Sequence, residues 1–123
     1  MNQVLIVDDD VDISNSLKEV FEDEGFDVHC SENGMEAMKY LHNVKKQPSL
    51  ILLDLMMPIM NGEEFRDQQK HEPKIAHIPT MFMSAGGCEI VDKIKKNNEV
   101  FVKKPIELDN LLSKVQRLLA SSI

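Results

Sequence analysis

Polar side chains able to do chemistry follow four of the five short apolar segments of this 123-residue chain. They are Asp8, Asp9, Asp54, Ser84 and Lys104. Crowded carboxylates repel one another, by about 4 kcal/mol for a pair at about 4 Å and an effective dielectric of about 20. Such a cluster therefore takes up protons or binds a cation.

The donor atoms of these residues predict the cation and the reaction. Carboxylate oxygens are hard ligands, which suit Mg²⁺. A lysine ammonium is a point charge that can contact a phosphoryl oxygen, and a small hydroxyl can hydrogen-bond the same group. A carboxylate between a divalent cation and a lysine can act as a nucleophile toward phosphorus. The residue types therefore indicate phosphoryl transfer onto an aspartate.

The elements that must position these residues are short strands that alternate with helices. Strands are expected at 4–7, 26–30, 50–53, 80–83 and 100–102, and helices at about 13–21, 35–41, 63–71, 89–97 and from 108 onward. This order predicts an α/β fold, a doubly wound five-stranded parallel sheet with helices on both faces. No repeat or linker divides residues 1–123, so one domain is expected. Ligands of such sheets bind beyond the carboxyl ends of the strands, where the polar residues lie.

Composition excludes several classes of function. A formal net charge of −7 and the absence of Trp argue against direct nucleic-acid binding, which depends on basic residues and base stacking. No apolar run approaches the roughly 20 residues that span a bilayer, and the N-terminus does not resemble a signal peptide. A cytoplasmic protein is expected, with Cys30 and Cys88 as reduced thiols.

Five segments of the chain match a known pattern in the same order. They are Leu5-Ile6-Val7-Asp8-Asp9, Asn33-Gly34-x-Glu36-Ala37, Leu52-Leu53-Asp54-Leu55-Met56-Met57-Pro58-x-x-Asn61-Gly62, Met83-Ser84-Ala85 and Val102-Lys103-Lys104-Pro105. With these segments the chain resembles the receiver domains of bacterial response regulators, including chemotaxis regulators, over essentially its whole length. The resemblance implies the strand order 2-1-3-4-5.

The resemblance also implies roles for single residues. Asp54 would accept the phosphoryl group. Asp9 and Asp54 would bind Mg²⁺ directly, Asp8 would bind it mostly through water, and the backbone carbonyl of Met56 would supply a further oxygen. The donor would be a phosphohistidine on a sensor histidine kinase or a histidine phosphotransfer protein, and the signal would pass to a downstream protein effector.

Four further positions in or directly after the fourth and fifth strands match the pattern. Ser84 and Lys104 would contact the phosphoryl group from two sides. The peptide bond before Pro105 would be cis, and Phe101 would be the aromatic residue that turns inward on phosphorylation. The domain would be a signalling switch whose only catalysis is its own phosphorylation and dephosphorylation.

Simpler roles remain open for some of these residues. Asp8 or Asp9 could cap a helix, Ser84 could be a turn residue, and Phe101 could belong to the core. Asp10 and Asp12 are not assigned to the site, because helix capping and interaction with the helix dipole explain why acidic residues occur there.

Two other functions compete with the switch. A Mg²⁺-dependent phosphohydrolase with an aspartate nucleophile usually has a second aspartate two residues later, where this chain has Met56. A degenerate receiver that serves only as a binding module would be expected to lose a site residue, and none is lost.

The chain departs from the receiver pattern between Ser84 and Lys104. This stretch is about two residues shorter than usual, and Asn97-Asn98-Glu99 replaces the usual Gly-Ala before the fifth strand. Because of this departure, the sequence does not predict how the domain passes the signal on or whether it forms dimers.

Overall fold

The computed structural model of the chain describes residues 2–85 and 100–121. Strands and helices alternate along these ranges. The predicted helix at 89–97 lies outside the described residues. In chain order the elements are β1 (Gln3–Val7), α1 (Val11–Asp23), β2 (Asp27–Ser31), α2 (Gly34–Asn43), β3 (Leu50–Asp54), α3 (Gly62–Lys70), β4 (Thr80–Ser84), β5 (Val100–Lys103) and α4 (Leu108–Ser121).

The five strands form one parallel sheet in the order β2-β1-β3-β4-β5. This order and the parallel pairing confirm the predicted fold. The register pairs Val7 with Leu53 across β1 and β3, and Asp54 with Met83 across β3 and β4. Because all strands point the same way, their carboxyl ends share one edge of the sheet.

Each face of the sheet is covered by helices, as predicted. Side chains alternate between the two faces along β1 and β3, so that neighbouring apolar residues enter different cores. One core includes Leu5, Val7, Ala37, Leu41, Ile51, Leu53 and Phe65 from β1, β3, α2 and α3. The other includes Val4, Ile6, Leu17, Phe21, Leu50, Leu52, Leu111 and Val115 from β1, β3, α1 and α4.

Side-chain caps begin three helices at the edge where the strands end. Asp10 accepts hydrogen bonds from the N–H groups of Asp12 and Ile13, at 3.0 and 3.2 Å, which confirms its interpretation as a cap. Asn33 and Asn61 cap α2 and α3 in the same way. Each cap satisfies N–H groups that would otherwise lack a partner, so a helix can begin soon after a strand.

None of the helices within the described ranges has the length and apolar character that a membrane crossing requires.

Candidate functional site

Three carboxylates meet at the carboxyl edge of the sheet. Asp54 ends β3 and Asp8 directly follows β1, which is the neighbouring strand. Asp8 and Asp54 are buried, with 1% and 4% of their surface exposed, whereas Asp9 is exposed. One carboxylate oxygen from each of the three residues lies within 4.8 Å of the others, which is close enough to hold one metal ion.

Lys104 connects the two buried carboxylates. Its Nζ atom lies 2.9 Å from Asp8 Oδ2 and 3.3 Å from Asp54 Oδ2. The backbone N–H of Lys104 donates to the carbonyl oxygen of Ser84 at 2.7 Å, which holds the end of β5 beside the end of β4. Lys103 is exposed, so the lysine chosen in the sequence analysis is the one that reaches the site.

The remaining oxygen of each buried carboxylate accepts a backbone hydrogen bond. Asp10 N–H donates to Asp8 Oδ1 at 2.9 Å, and Met56 N–H donates to Asp54 Oδ1 at 3.2 Å. Each carboxylate is thus held between a local backbone donor and the distant lysine. This arrangement fixes the orientation of both side chains.

Electrostatics distinguish Asp54 from an ordinary aspartate. Burial raises its pKa to about 6, and the neighbouring Asp8 carboxylate acts in the same direction. The hydrogen bond from Met56 N–H and the charge of Lys104 oppose this rise. Burial alone would lower the pKa of Lys104, but its hydrogen bond to Asp8 and the Asp54 charge outweigh burial, so its pKa lies above the ordinary value.

Ser84 and Met56 flank the carboxylates. Ser84 is the buried last residue of β4, beside the strand that ends in Asp54. The Met56 side chain points outward, with 64% of the residue exposed, while its backbone lies at Asp54. The structure therefore brings the predicted acids, hydroxyl and lysine together at one edge.

The two remaining predicted residues lie in β5 and directly after Lys104. The peptide bond between Lys104 and Pro105 is cis. Phe101 is half-buried at the margin of the core beneath α2 and α3. Lys114 Nζ donates to the Phe101 carbonyl oxygen at 2.8 Å and lies 5.3 Å from the ring centroid.

Two glycines, Gly34 and Gly62, allow close contacts around the loop that follows Asp54, a role that the sequence analysis missed because it included them only as part of the receiver pattern. A Cβ atom on Gly62 would lie 2.6 Å from the Asp54 carbonyl oxygen, and one on Gly34 would lie 2.8 Å from the Met60 carbonyl oxygen. Both distances are shorter than the contacts that real Cβ atoms make. The Asn-Gly pairs in the sequence could have indicated that glycine is required at these positions, but the short distances to Asp54 and Met60 arise only in the folded chain.

Comparison with known proteins identifies the family. The family model of the response regulator receiver domain matches residues 4–116. The chain belongs to this family.

Relatives of this receiver domain include a full-length regulator and a single-domain protein. The transcriptional regulatory protein CpxR homolog of Haemophilus influenzae is 34% identical, over 99% of this chain and 52% of its own length. The chemotaxis protein CheY of Listeria monocytogenes is also 34% identical, over 95% of this chain and 98% of its own length. The chain thus spans about half the length of many curated relatives, and nearly all of CheY.

Solved structures agree with this assignment. The signal receiver domain of a signal transduction histidine kinase from Syntrophus aciditrophicus superposes with a TM-score of 0.87 at 28% identity, over 98% of this chain and 92% of that one. Membership of this receiver family makes the domain a signalling module of two-component response regulators.

Proposed function

We propose that the chain is a phosphorylation-dependent switch that accepts a phosphoryl group on Asp54 from a phosphohistidine. The observation that carries the proposal is the position of Asp54 between two further carboxylates and the Lys104 ammonium, whose Nζ lies 3.3 Å from Asp54 Oδ2. A carboxylate in such a position could have a metal ion on one side. On the other side it has an ammonium group that can donate hydrogen bonds to phosphoryl oxygens.

The three acids fit Mg²⁺ by their donor chemistry. They offer only carboxylate oxygens, they lie within 4.8 Å of one another, and Asp9 keeps one side of the cluster open to water. Mg²⁺ usually retains several waters and uses one or two carboxylates directly. Asp9 and Asp54 would bind the ion directly, Asp8 mostly through water, and the Met56 carbonyl would add an oxygen. When bound, Mg²⁺ would neutralise the developing charge on the transferred phosphoryl oxygens.

The transfer is a displacement at phosphorus. A carboxylate oxygen of Asp54 forms the new P–O bond while the P–N bond of the phosphohistidine breaks, and the imidazole leaves with the electron pair. Asp54 becomes an acyl phosphate. Because its pKa is about 6, Asp54 is mostly ionised, and therefore nucleophilic, at neutral pH.

Two side chains would stabilise the transferred group. The Lys104 ammonium would exchange its contact with Asp54 Oδ2 for a phosphoryl oxygen, which requires only a small movement from its present position. The hydroxyl of Ser84, at the end of the adjacent strand, would donate a hydrogen bond to another phosphoryl oxygen. This exchange of the Lys104 contact would couple phosphorylation to the end of β5.

The signal would leave the domain through protein contacts. Phosphorylation adds about −1.5 to −2 charges, which can bias a two-state element such as the proposed inward turn of Phe101. The receiving effector would be an attached domain or a separate protein, since relatives of both lengths exist. Direct contact with nucleic acid is not proposed for this acidic domain. With a histidine kinase or phosphotransfer protein as donor, the chain would act in the cytoplasm.

Intact-mass measurement tests the proposal. The protein is incubated with phosphoramidate or acetyl phosphate, with and without Mg²⁺, and compared with the isosteric control Asp54→Asn. The proposal expects a base-labile adduct of about 80 Da that requires Mg²⁺ and is absent from the control.

Other outcomes contradict the proposal. An adduct that persists in Asp54→Asn would place phosphorylation on another residue. The absence of any adduct on the folded wild-type protein would favour a binding module that retains the residues of the site but not the chemistry. A phosphohydrolase would instead turn over phosphate esters, although the exposed thioether of Met56 cannot transfer a proton.

A further inference from the structure

The start of α2 is in direct contact with the loop that follows Asp54. The N–H of Gly34 donates to the carbonyl oxygen of Met60 at 3.2 Å. A Cβ atom on Gly34 would lie 2.8 Å from that oxygen and 2.8 Å from Met60 Cγ. Because one of these atoms belongs to the backbone, a side chain at position 34 would have to displace the loop.

The other end of the same loop is equally confined. Gly62 N–H donates to the carbonyl oxygen of Leu55 at 3.1 Å. A Cβ atom on Gly62 would lie 2.6 Å from the carbonyl oxygen of Asp54. The loop from Leu55 to Met60 is therefore held at one end by Gly62, the first residue of α3, and at the other end by the start of α2.

The middle of the loop has little freedom to absorb a displacement. The ring of Pro58 restricts its own φ angle. Met60 N–H donates to the Pro58 carbonyl oxygen at 2.7 Å, which closes a γ-turn around Ile59. Ile59 has a φ of 68°, a conformation that is strained for a β-branched residue. The turn from Pro58 to Met60 therefore has little freedom to absorb a movement of Met60.

We propose that Gly34 is a positioning residue for the metal site, acting through Met60 on the backbone of Met56. The inference rests on the proposed function, in which the Met56 carbonyl and Asp54 bind Mg²⁺. It adds that the absence of a side chain at position 34, on a different element from the acids, sets the metal affinity.

The displacement caused by a side chain can be estimated from the contact. Ordinary contacts of a Cβ atom begin at 3.4 Å, so a Cβ placed 2.8 Å from the Met60 carbonyl oxygen displaces this backbone atom by about 0.6 Å. Mg²⁺ requires near-ideal octahedral geometry, and changes in groups that orient its ligands typically weaken metal affinity by 10-fold to 100-fold. Gly34→Ala is therefore expected to weaken Mg²⁺ binding by about tenfold.

Two measurements on the full chain test the inference. Isothermal titration with MgCl₂ gives the Mg²⁺ dissociation constant of the folded protein. Methyl spectra of ¹³C-methionine-labelled, metal-free protein report the surroundings of Met56 and Met60 among the eight methionines. Gly34→Ala should weaken Mg²⁺ binding about tenfold and shift both methyl signals.

Two control variants separate positioning from loss of stability. Met35→Ala changes the next residue of α2, whose side chain is exposed. Val115→Ala removes buried atoms from the core on the other side of the sheet. Both controls should bind Mg²⁺ as the wild type does, although Val115→Ala unfolds more easily. Wild-type Mg²⁺ affinity in folded Gly34→Ala would overturn the inference, whatever its stability.

Met60→Ala keeps the inference testable if Gly34→Ala does not fold. It removes the Cγ atom that a Cβ at position 34 would meet at 2.8 Å but leaves the Met60 carbonyl oxygen in place. Gly34→Ala in the Met60→Ala background should therefore still shift the Met56 methyl signal and weaken Mg²⁺ binding relative to Met60→Ala, and a change in neither would overturn the inference. If both single variants fold, Gly34→Ala should cost less Mg²⁺ affinity in the Met60→Ala background than in the wild type. Absence of Mg²⁺ binding by the wild type would instead contradict the proposed function, while the metal-free methyl signals would still test the coupling.

Discussion

Asp54→Asn should make the metal-free protein more stable at alkaline pH, although the substitution removes a charged partner of Lys104. Asp54 is buried beside Asp8, so the folded state favours its neutral form. Asparagine has nearly the same shape, is neutral at every pH, and can still accept the hydrogen bond from Met56 N–H. The substitution thus removes an unfavourable buried charge.

The size and pH window follow from linkage. The pKa of Asp54 rises from an ordinary value of 3.8 to about 6 on folding, so the folded state binds more protons than the unfolded state between these limits. Stability that is present below about pH 4 is therefore lost as the pH rises through about 6. Well above pH 6 the loss amounts to about 3 kcal/mol, which Asp54→Asn should recover.

Urea unfolding followed by far-UV circular dichroism measures this difference in stability. Wild type and Asp54→Asn are compared in EDTA at about pH 8 and about pH 4, so that other titrating groups cancel in the difference. The variant should be more stable by about 3 kcal/mol at the higher pH and nearly equal at the lower pH. Added Mg²⁺ should reduce the advantage, because the ion stabilises the wild type preferentially.

Two results would refute this reasoning. Equal or lower stability of Asp54→Asn at about pH 8 would mean that Lys104 fully compensates the buried charge of Asp54. A stabilisation of the same size at both pH values would mean that its source is packing or hydrogen bonding, and that the pKa of Asp54 does not rise on folding.

Two further predictions concern the same edge of the sheet. Lys104→Met should destabilise the metal-free protein by about 3 to 5 kcal/mol at about pH 8, because Asp8 and Asp54 lose the ammonium group that they share. The loss of stability should be smaller at about pH 5, where Asp54 takes up a proton. An unchanged midpoint of urea unfolding at about pH 8 would contradict this prediction. Ile59→Gly should raise the melting temperature by about 4 °C, since it relieves a positive φ at a residue that is 72% exposed, whereas Ile59→Val should leave it unchanged. Equal melting temperatures for the two variants would show that the turn stores no strain.

The fold was largely predictable because each strand carries its own local signal. The apolar run at 4–7 predicts a strand buried on both faces, and β1 is such a strand, with alternate residues in the two cores. Element ends were less certain, because hydrogen bonding rather than hydrophobicity sets them. The second strand was expected at 26–30 and runs from Asp27 to Ser31, since Phe26 packs edge-on against Phe21 instead of pairing.

The sequence predicted that the polar side chains of the site meet at one edge of the sheet, but not the geometry of their contacts. The rule that parallel strands end at one edge is enough to gather Asp8, Asp54 and Lys104. The rule says nothing of the two contacts made by Lys104 Nζ, because a long side chain can adopt many rotamers. The rule also does not predict the position of the half-buried Phe101 ring, which lies 5.3 Å from Lys114 Nζ of α4.

The sequence by itself determined the family, the topology and the residues delivered to the carboxyl edge, because strand periodicity and residue type are local properties. Only the tertiary structure decided the pKa of Asp54, which depends on burial and on the Asp8 carboxylate from another strand. It also decided the contact of Gly34 with Met60, because a distance between two segments far apart in the chain exists only once the sheet has brought them together.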